Sequence, residues 1–134
     1  MIPAALGREI ADDFFYNLVL FNPFTCAFEP ASFAVSRGVV VGLGRYSARR
    51  EHDLGGARVV PGLVDAHVHV ESSLLVPTEY ARLAARCGTT TVVADPHEIA
   101  NVCGVEGIEY MLAEAARAVI DILIMLPSCV PATD

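Results

Sequence analysis

The sequence predicts an α/β protein in which a small β-sheet region is followed by a parallel β-α-β-α-β unit. Short β-rich runs separated by turn residues fill the first part of the chain. In the second part, β-rich runs alternate with helical patterns and begin about 26 to 30 residues apart, the usual length of a right-handed crossover. We therefore predict two domains, residues 1–58 and residues 59–134.

Three strands and a polar linker make up the predicted first domain. The strands are expected at residues 15–21, 27–35 and 39–43, with turns at residues 22–23 and 36–38. These runs are rich in aromatic and β-branched residues, whereas the turns contain proline, glycine, asparagine or serine. Residues 47–56 are polar, and we expect them to form a linker to the second domain.

Three strands and two helices make up the predicted second domain. The strands are expected at residues 63–71, 89–94 and 119–126. The first helix begins near Pro77 and ends before Gly88, as the preferences for helix termini indicate. Spacing at i, i+3, i+4 and i+7 predicts its buried face as Tyr80, Leu83, Ala84 and Cys87. The second helix is expected to bury Val105, Ile108, Leu112 and Ala115.

The composition excludes several classes of partner. All nine basic residues are arginine, there are 16 acidic residues, and the formal net charge is −7. Nucleic acids and anionic membranes bind clustered positive charge, so we expect neither as a partner. The chain shows no signal-peptide pattern and no uncharged apolar stretch of about 18 residues, which predicts a cytoplasmic protein. Free thiols are expected at Cys26, Cys87, Cys103 and Cys129.

A row of ionisable residues alternates along the first strand of the second domain: Asp65, His67, His69 and Glu71. Alternate residues share one face of a strand, and strands of parallel sheets are normally apolar on both faces. The polar row therefore indicates a site. His67 and His69 lie about 6.5 to 7 Å apart along the strand, so both can reach one divalent ion. The alternative is a pair of histidines held by hydrogen bonds.

Polar residues also follow the second and third strands of this domain. Asp95, His97 and Glu98 come directly after the second strand, at the carboxyl end where α/β folds place their sites. His97 can share the rim with the two strand histidines. Asp95 and Glu98 have an alternative role in solvation or in capping the next helix. Ser128 follows the third strand, where it is either a substrate contact or a structural loop residue.

The sequence around these residues resembles a known family. Residues 61–69, PGLVDAHVH, resemble the first barrel strand of the amidohydrolase superfamily. Three further segments resemble the bacterial and archaeal adenine deaminases of that superfamily: residues 70–73 (VESS), 88–102 (GTTTVVADPHEIANV) and 125–133 (MLPSCVPAT). The resemblance extends from about residue 15 to the end of the chain.

The resemblance implies a (β/α)8 metal-dependent hydrolase barrel flanked by a β-sandwich. Residues 59–134 would supply the first three βα units of the barrel, and residues 1–58 part of the sandwich. Family members hydrolyse adenine to hypoxanthine and ammonia with a metal-activated hydroxide, at a binuclear manganese or iron centre. The intact enzymes are expected to be homo-oligomers.

The resemblance also assigns expected roles to individual residues. His67 and His69 match metal ligands, and Glu71, His97 and Glu98 are expected to be catalytic. The expected substrate contacts are Asp95, Ser72 and Ser128. The remaining ligands of the family lie beyond residue 134, so we expect a truncated polypeptide that is inactive alone. The alternatives are another amidohydrolase, acting on a cyclic amide or amidine, and a non-catalytic truncated polypeptide.

Overall fold

The structure is a computed structural model that describes residues 2–128 and residue 130. The described part of the chain forms two compact units, within residues 1–61 and within residues 62–134, and each unit has its own sheet. One sheet is mixed and the other is parallel with helical crossovers. The predicted α/β class is therefore confirmed.

The first unit is built around a four-stranded sheet. Its elements are α1 (Ile2–Ala5), β1 (Ala11–Asn22), β2 (Ala27–Ser36), β3 (Val39–Leu43) and β4 (Ala48–Val59). The strand order is β3-β2-β1-β4, with antiparallel pairing among the first three strands and parallel pairing between β1 and β4. The three strands that the sequence predicts are confirmed, and β1 is several residues longer than expected.

The polar segment at residues 47–56 forms most of β4, so the prediction of a linker there is wrong. Arg50 donates two hydrogen bonds of 2.7 Å, one to each carboxylate oxygen of Asp13 on β1. His52 Nε2 lies 2.7 Å from Asp13 Oδ1, and its ring stacks on Phe15 with 4.6 Å between centroids. Cross-strand pairs of opposite charge stabilise a strand that has no apolar alternation.

The second unit is a three-stranded parallel sheet with two crossover helices. Its elements are β5 (Leu63–Val68), α2 (Pro77–Arg86), β6 (Thr89–Ala94), α3 (His97–Ala115) and β7 (Asp121–Ile124). The strand order is β5-β6-β7. A core between sheet and helices contains Val70, Ala81, Val92, Ala94, Met111, Ile120 and Ile122.

β5 is shorter than the sequence predicts. The chain leaves the extended conformation at Val70, which has φ −61° and ψ −36°, and Glu71–Ser73 form a 3-10 turn. Glu71 therefore does not continue the row of alternating strand residues, and that part of the prediction is wrong. The completely buried Val70 side chain belongs to the core, and its packing favours the turn.

The predicted buried faces of both helices are confirmed only in part: Tyr80, Ala84 and Ala115 pack against the core. In α2, Ala81 is buried, whereas the predicted core residue Leu83 is 52% exposed. In α3, Met111 is buried, whereas Val105 is 70% and Leu112 is 52% exposed. In α2 the closest contact with the core is made by the small residue Ala81, which the spacing of the larger apolar residues did not select.

Two glycines shape α3. Gly104 has φ 61° and ψ −143°, a conformation that a side chain disfavours, and it bends the helix sharply. After the bend, Gly107 lies against Ile99, and a Cβ at position 107 would lie 2.9 Å from the Ile99 carbonyl oxygen. The bend thus folds the second part of α3 back onto the first.

The structure bears on the predictions for the cysteines and for membrane-spanning segments. Cys26, Cys87 and Cys103 are exposed free thiols, as predicted, while Cys129 lies outside the described residues. Among the described residues, no helix has the length and apolar character that crossing a membrane requires.

We expect Gly107→Ala to lower the free energy of unfolding by about 1–3 kcal/mol, the typical cost of overpacking. The new methyl group would collide with backbone as well as with the Ile99 side chain. Urea unfolding followed by circular dichroism measures the change. Glu109→Ala, an exposed change on the same helix, is the control. Equal stability of Gly107→Ala and the wild type would contradict the close contact.

We expect Asp13→Asn to destabilise the protein at neutral pH and to matter less in acid. Hydrogen bonds from Arg50 and then His52 hold the pKa of Asp13 well below its ordinary value of 3.8. A carboxyl whose pKa is lowered on folding stabilises the fold above its unfolded pKa, and this contribution is lost as the pH falls. Thermal unfolding at pH 7 and pH 3 measures the difference in stability between Asp13→Asn and the wild type. The exposed Glu51→Gln is the control. A difference independent of pH would contradict the assignment.

Candidate metal centre

Most of the predicted site residues come together at the carboxyl ends of β5 and β6. His67 lies near the end of β5 and His69 directly after it, while Asp95 follows β6. The backbone N–H of Asp95 donates to the carbonyl of Val68 at 3.0 Å and extends the pairing of the two strands. This bond places Asp95 beside the two histidines.

The imidazoles of His67 and His69 converge. Their Nε2 atoms are 3.1 Å apart, and the rings meet edge to face with 4.9 Å between centroids. Two nitrogens bound to one ion at about 2.0–2.1 Å are separated by about 2.8–3.4 Å at octahedral or tetrahedral angles. The observed distance suits a shared cation as well as a single hydrogen bond.

Two overlapping groups of donor atoms surround these rings. The possible ligand atoms of His67, His69 and Asp95 all lie within 4.8 Å of one another. The same limit holds for His69, His97 and Glu98. Each group contains the three protein ligands that a divalent ion typically requires at a catalytic site. His69 belongs to both groups.

Buried polar atoms without a partner support a cation at this place. Asp95 Oδ1, Glu71 Oε2 and His97 Nδ1 are buried and have no hydrogen-bond partner among the described groups. His97 Nδ1 lies 3.3 Å from Asp95 Oδ2, within the range of an ion pair. A buried polar atom left unpaired costs about 1–3 kcal/mol, and a cation would offset this cost for the carboxylate oxygens. The residues therefore fit a divalent metal ion.

Glu98 contacts His69 and a serine. Its Oε2 lies 3.2 Å from His69 Nδ1 and 3.7 Å from His97 Nδ1, and its Oε1 accepts a 3.2 Å hydrogen bond from Ser72 Oγ. Burial raises the pKa of Glu98. The hydrogen bond from its own backbone N–H and the nearby His69 and His97 lower the pKa by more, so it lies below its ordinary value. The carboxylate form is thereby favoured beside the histidines.

The structure joins Glu71 to the rim but not Ser128. Glu71 Oε1 accepts a 3.4 Å hydrogen bond from the backbone N–H of Ile99 in the first turn of α3. This backbone contact was missed at the level of sequence, because no residue pattern reveals it. Ser128 is exposed in the segment after β7, and no described contact joins it to the cluster. Ser72 reaches the cluster through Glu98.

A family comparison agrees with the resemblance seen in the motifs. The model of the Amidohydrolase family matches residues 58–134, which include every residue of the cluster. This match covers more than half of the chain.

Curated relatives are similar over three quarters or more of the chain. It is 63% identical over 134 residues to the adenine deaminase of Methanoregula boonei, covering 99% of this chain and 24% of the relative. It is 68% identical over 101 residues to the adenine deaminase of Methanoculleus marisnigri, covering 75% of this chain and 20% of the relative. The chain thus spans about a quarter of the length of these relatives.

Two solved structures share the fold. An N-acyl-D-glutamate deacylase from Bordetella bronchiseptica, in complex with zinc and a phosphonate inhibitor, matches with a TM-score of 0.65 and 21% identity over 89% of this chain and 30% of that one. A D-aminoacylase variant in complex with copper chloride matches with a TM-score of 0.66 and 20% identity over 87% and 30%. At these identities, the two matches show a shared fold.

We expect His67→Ala and His69→Ala each to abolish stoichiometric binding of a divalent metal, because each removes one of the converging nitrogens. Elemental analysis after dialysis against Mn²⁺ or Zn²⁺ measures the content. His52→Gln is the matched control, since His52 is the one histidine outside the cluster. Equal metal content in all three variants and the wild type would contradict the ligand assignment.

Proposed function

The chain belongs to the amidohydrolase family, and from this premise we propose that it is the metal-binding portion of an adenine deaminase. One observation carries the proposal: the H-x-H pair and Asp95 converge within a sequence that is 63% identical to a protein named adenine deaminase. Adenine and water would give hypoxanthine and ammonia. The substrate is then a small nucleobase, and neither nucleic acid nor membrane is a partner.

The proposed metal ligands are His67 and His69, with Asp95 as the neighbouring carboxylate. A divalent cation held by these residues would lower the pKa of water, so that hydroxide would be available near neutral pH. The sequence resemblance favours a binuclear manganese or iron centre. The unpaired Asp95 Oδ1 supports a charge at this place, because a buried carboxylate oxygen requires a partner.

Proton transfer is the task proposed for the remaining polar groups. Deamination forms a bond from C6 to oxygen, breaks the bond from C6 to nitrogen, and delivers a proton to the departing amine. His97 Nδ1, which lies 3.3 Å from Asp95 Oδ2, is suited to move such a proton. Glu71, with one buried free oxygen, is a second candidate. Contact of Ser128 with substrate stays a prediction.

The proposal includes a larger fold around these residues. Residues 59–134 would form the first three βα units of an eight-stranded barrel, and residues 1–58 part of a sandwich. β5 and β7 are the two edges of their sheet, and Leu63, Val64 and Leu123 are exposed on them. Edges of this kind pair with further strands in closed barrels. We place the intact enzyme in the cytoplasm as a homo-oligomer.

A chimeric enzyme tests the function. We expect this chain to support adenine hydrolysis when it replaces the matching segment of the Methanoregula boonei adenine deaminase, whereas the 134 residues alone release no ammonia. In the chimera, His67→Ala should lower activity by more than about 100-fold, beyond the usual cost of losing an outer contact to a ligand. Chromatography of adenine and hypoxanthine measures turnover.

A control variant and two possible outcomes test the proposal further. The His52→Gln chimera should stay active, because that side chain lies on β4 and outside the donor cluster. A folded, metal-loaded chimera that hydrolyses dihydroorotate or hydantoin but not adenine would favour another amidohydrolase activity. Ammonia release from adenine by the 134-residue chain alone would contradict the proposed inactivity of the truncated polypeptide.

A further inference from the structure

We propose that Glu98 is a positioning residue: held by Ser72, it keeps the ring proton of His69 on Nδ1 and leaves Nε2 free to bind the metal. The role of this arrangement in metal binding rests on the metal centre proposed above. The arrangement itself consists of two hydrogen bonds among three side chains of this chain. It assigns Glu98 and Ser72 a task other than the acid–base and substrate-contact roles that the sequence predicts.

The hydrogen bond between Glu98 and His69 fixes the tautomer. A carboxylate can only accept hydrogen bonds, so the 3.2 Å contact requires the proton to be on His69 Nδ1. In a neutral imidazole the other nitrogen then has the lone pair. That nitrogen, Nε2, is the atom that lies 3.1 Å from Nε2 of His67. The carboxylate thus holds the proton on Nδ1, and the lone pair of Nε2 is then available where the two histidines converge.

Ser72 orients the carboxylate. Its hydroxyl donates to Glu98 Oε1 at 3.2 Å, so the other oxygen faces His69. The side chain of Glu98 is 37% exposed, and His97 Nδ1 lies 3.7 Å from the same Oε2. Without the serine, the carboxylate could rotate toward solvent or toward His97. Ser72 therefore selects which histidine Glu98 contacts.

The local backbone explains how a serine that follows β5 reaches the start of α3. The 3-10 turn Glu71–Ser73 redirects the chain directly after His69, and it ends at Leu74 with φ 61°. Glu71 binds the backbone N–H of Ile99 from the same turn. Two successive side chains of the turn thus hold the first turn of α3, one through its backbone and the other through Glu98.

Nuclear magnetic resonance of metal-free protein labelled with 15N-histidine tests the tautomer directly. We expect the wild type to carry the His69 proton on Nδ1, and Glu98→Ala to shift it toward Nε2. Ser72→Ala should shift it partly, whereas Ser72→Thr, which retains the hydroxyl, should restore the wild-type pattern. Ser73→Ala is the matched control, because the Ser73 hydroxyl contacts only the neighbouring backbone. Loss of the His69 signals in His69→Gln assigns them, and circular dichroism verifies folding.

Metal affinity provides the second measurement. Loss of a group that orients a ligand typically weakens metal binding by 10–100-fold, so we expect Glu98→Ala and Ser72→Ala to weaken Mn²⁺ binding by about this factor. Ser72→Thr and Ser73→Ala should bind as the wild type does. An unchanged His69 tautomer in Glu98→Ala, or equal effects of Ser72→Ala and Ser73→Ala, would overturn the proposal. An Nδ1 proton in wild type without any Mn²⁺ binding would contradict the metal centre and still support the positioning of His69.

Discussion

The carboxyl ends of β5 and β6 lie side by side, and the candidate site depends on this alignment. The hydrogen bond from Asp95 N–H to Val68 O continues the ladder for one step beyond the residues assigned to the strands. It brings a carboxylate that follows β6 beside two imidazoles, one near the end of β5 and one directly after it. Parallel neighbours bring side chains distant in sequence to the same edge, which is why α/β folds repeatedly place chemistry there.

The sequence was most informative where residue type and position agree. His67 and His69 interrupt an apolar run at alternate positions, and Asp95 and His97 flank a proline that follows the next run. Such departures from apolar packing are visible without coordinates. The contacts of Glu71 and Ser72 were not, because they depend on a turn that begins at Val70, a residue whose type is equally compatible with the strand.

Elsewhere the errors have a common origin in partners that are distant in sequence. β4 is polar along its length, and its place in the sheet depends on Asp13 of a strand more than thirty residues earlier. In α3 the packing depends on Gly107, because a side chain at this position would collide with the Ile99 carbonyl oxygen. Hydropathy periodicity is evaluated within one segment at a time. It therefore does not predict a strand that is stabilised by ion pairs with another strand, or a helix contact that depends on a glycine.

The ring of His69 touches both donor groups, with Nε2 toward His67 and Nδ1 toward Glu98. An imidazole is rigid and planar, so its two nitrogens cannot move independently. Any displacement imposed at one nitrogen is carried across the ring to the other. The energetic effects of substitutions on opposite sides of His69 should therefore be non-additive.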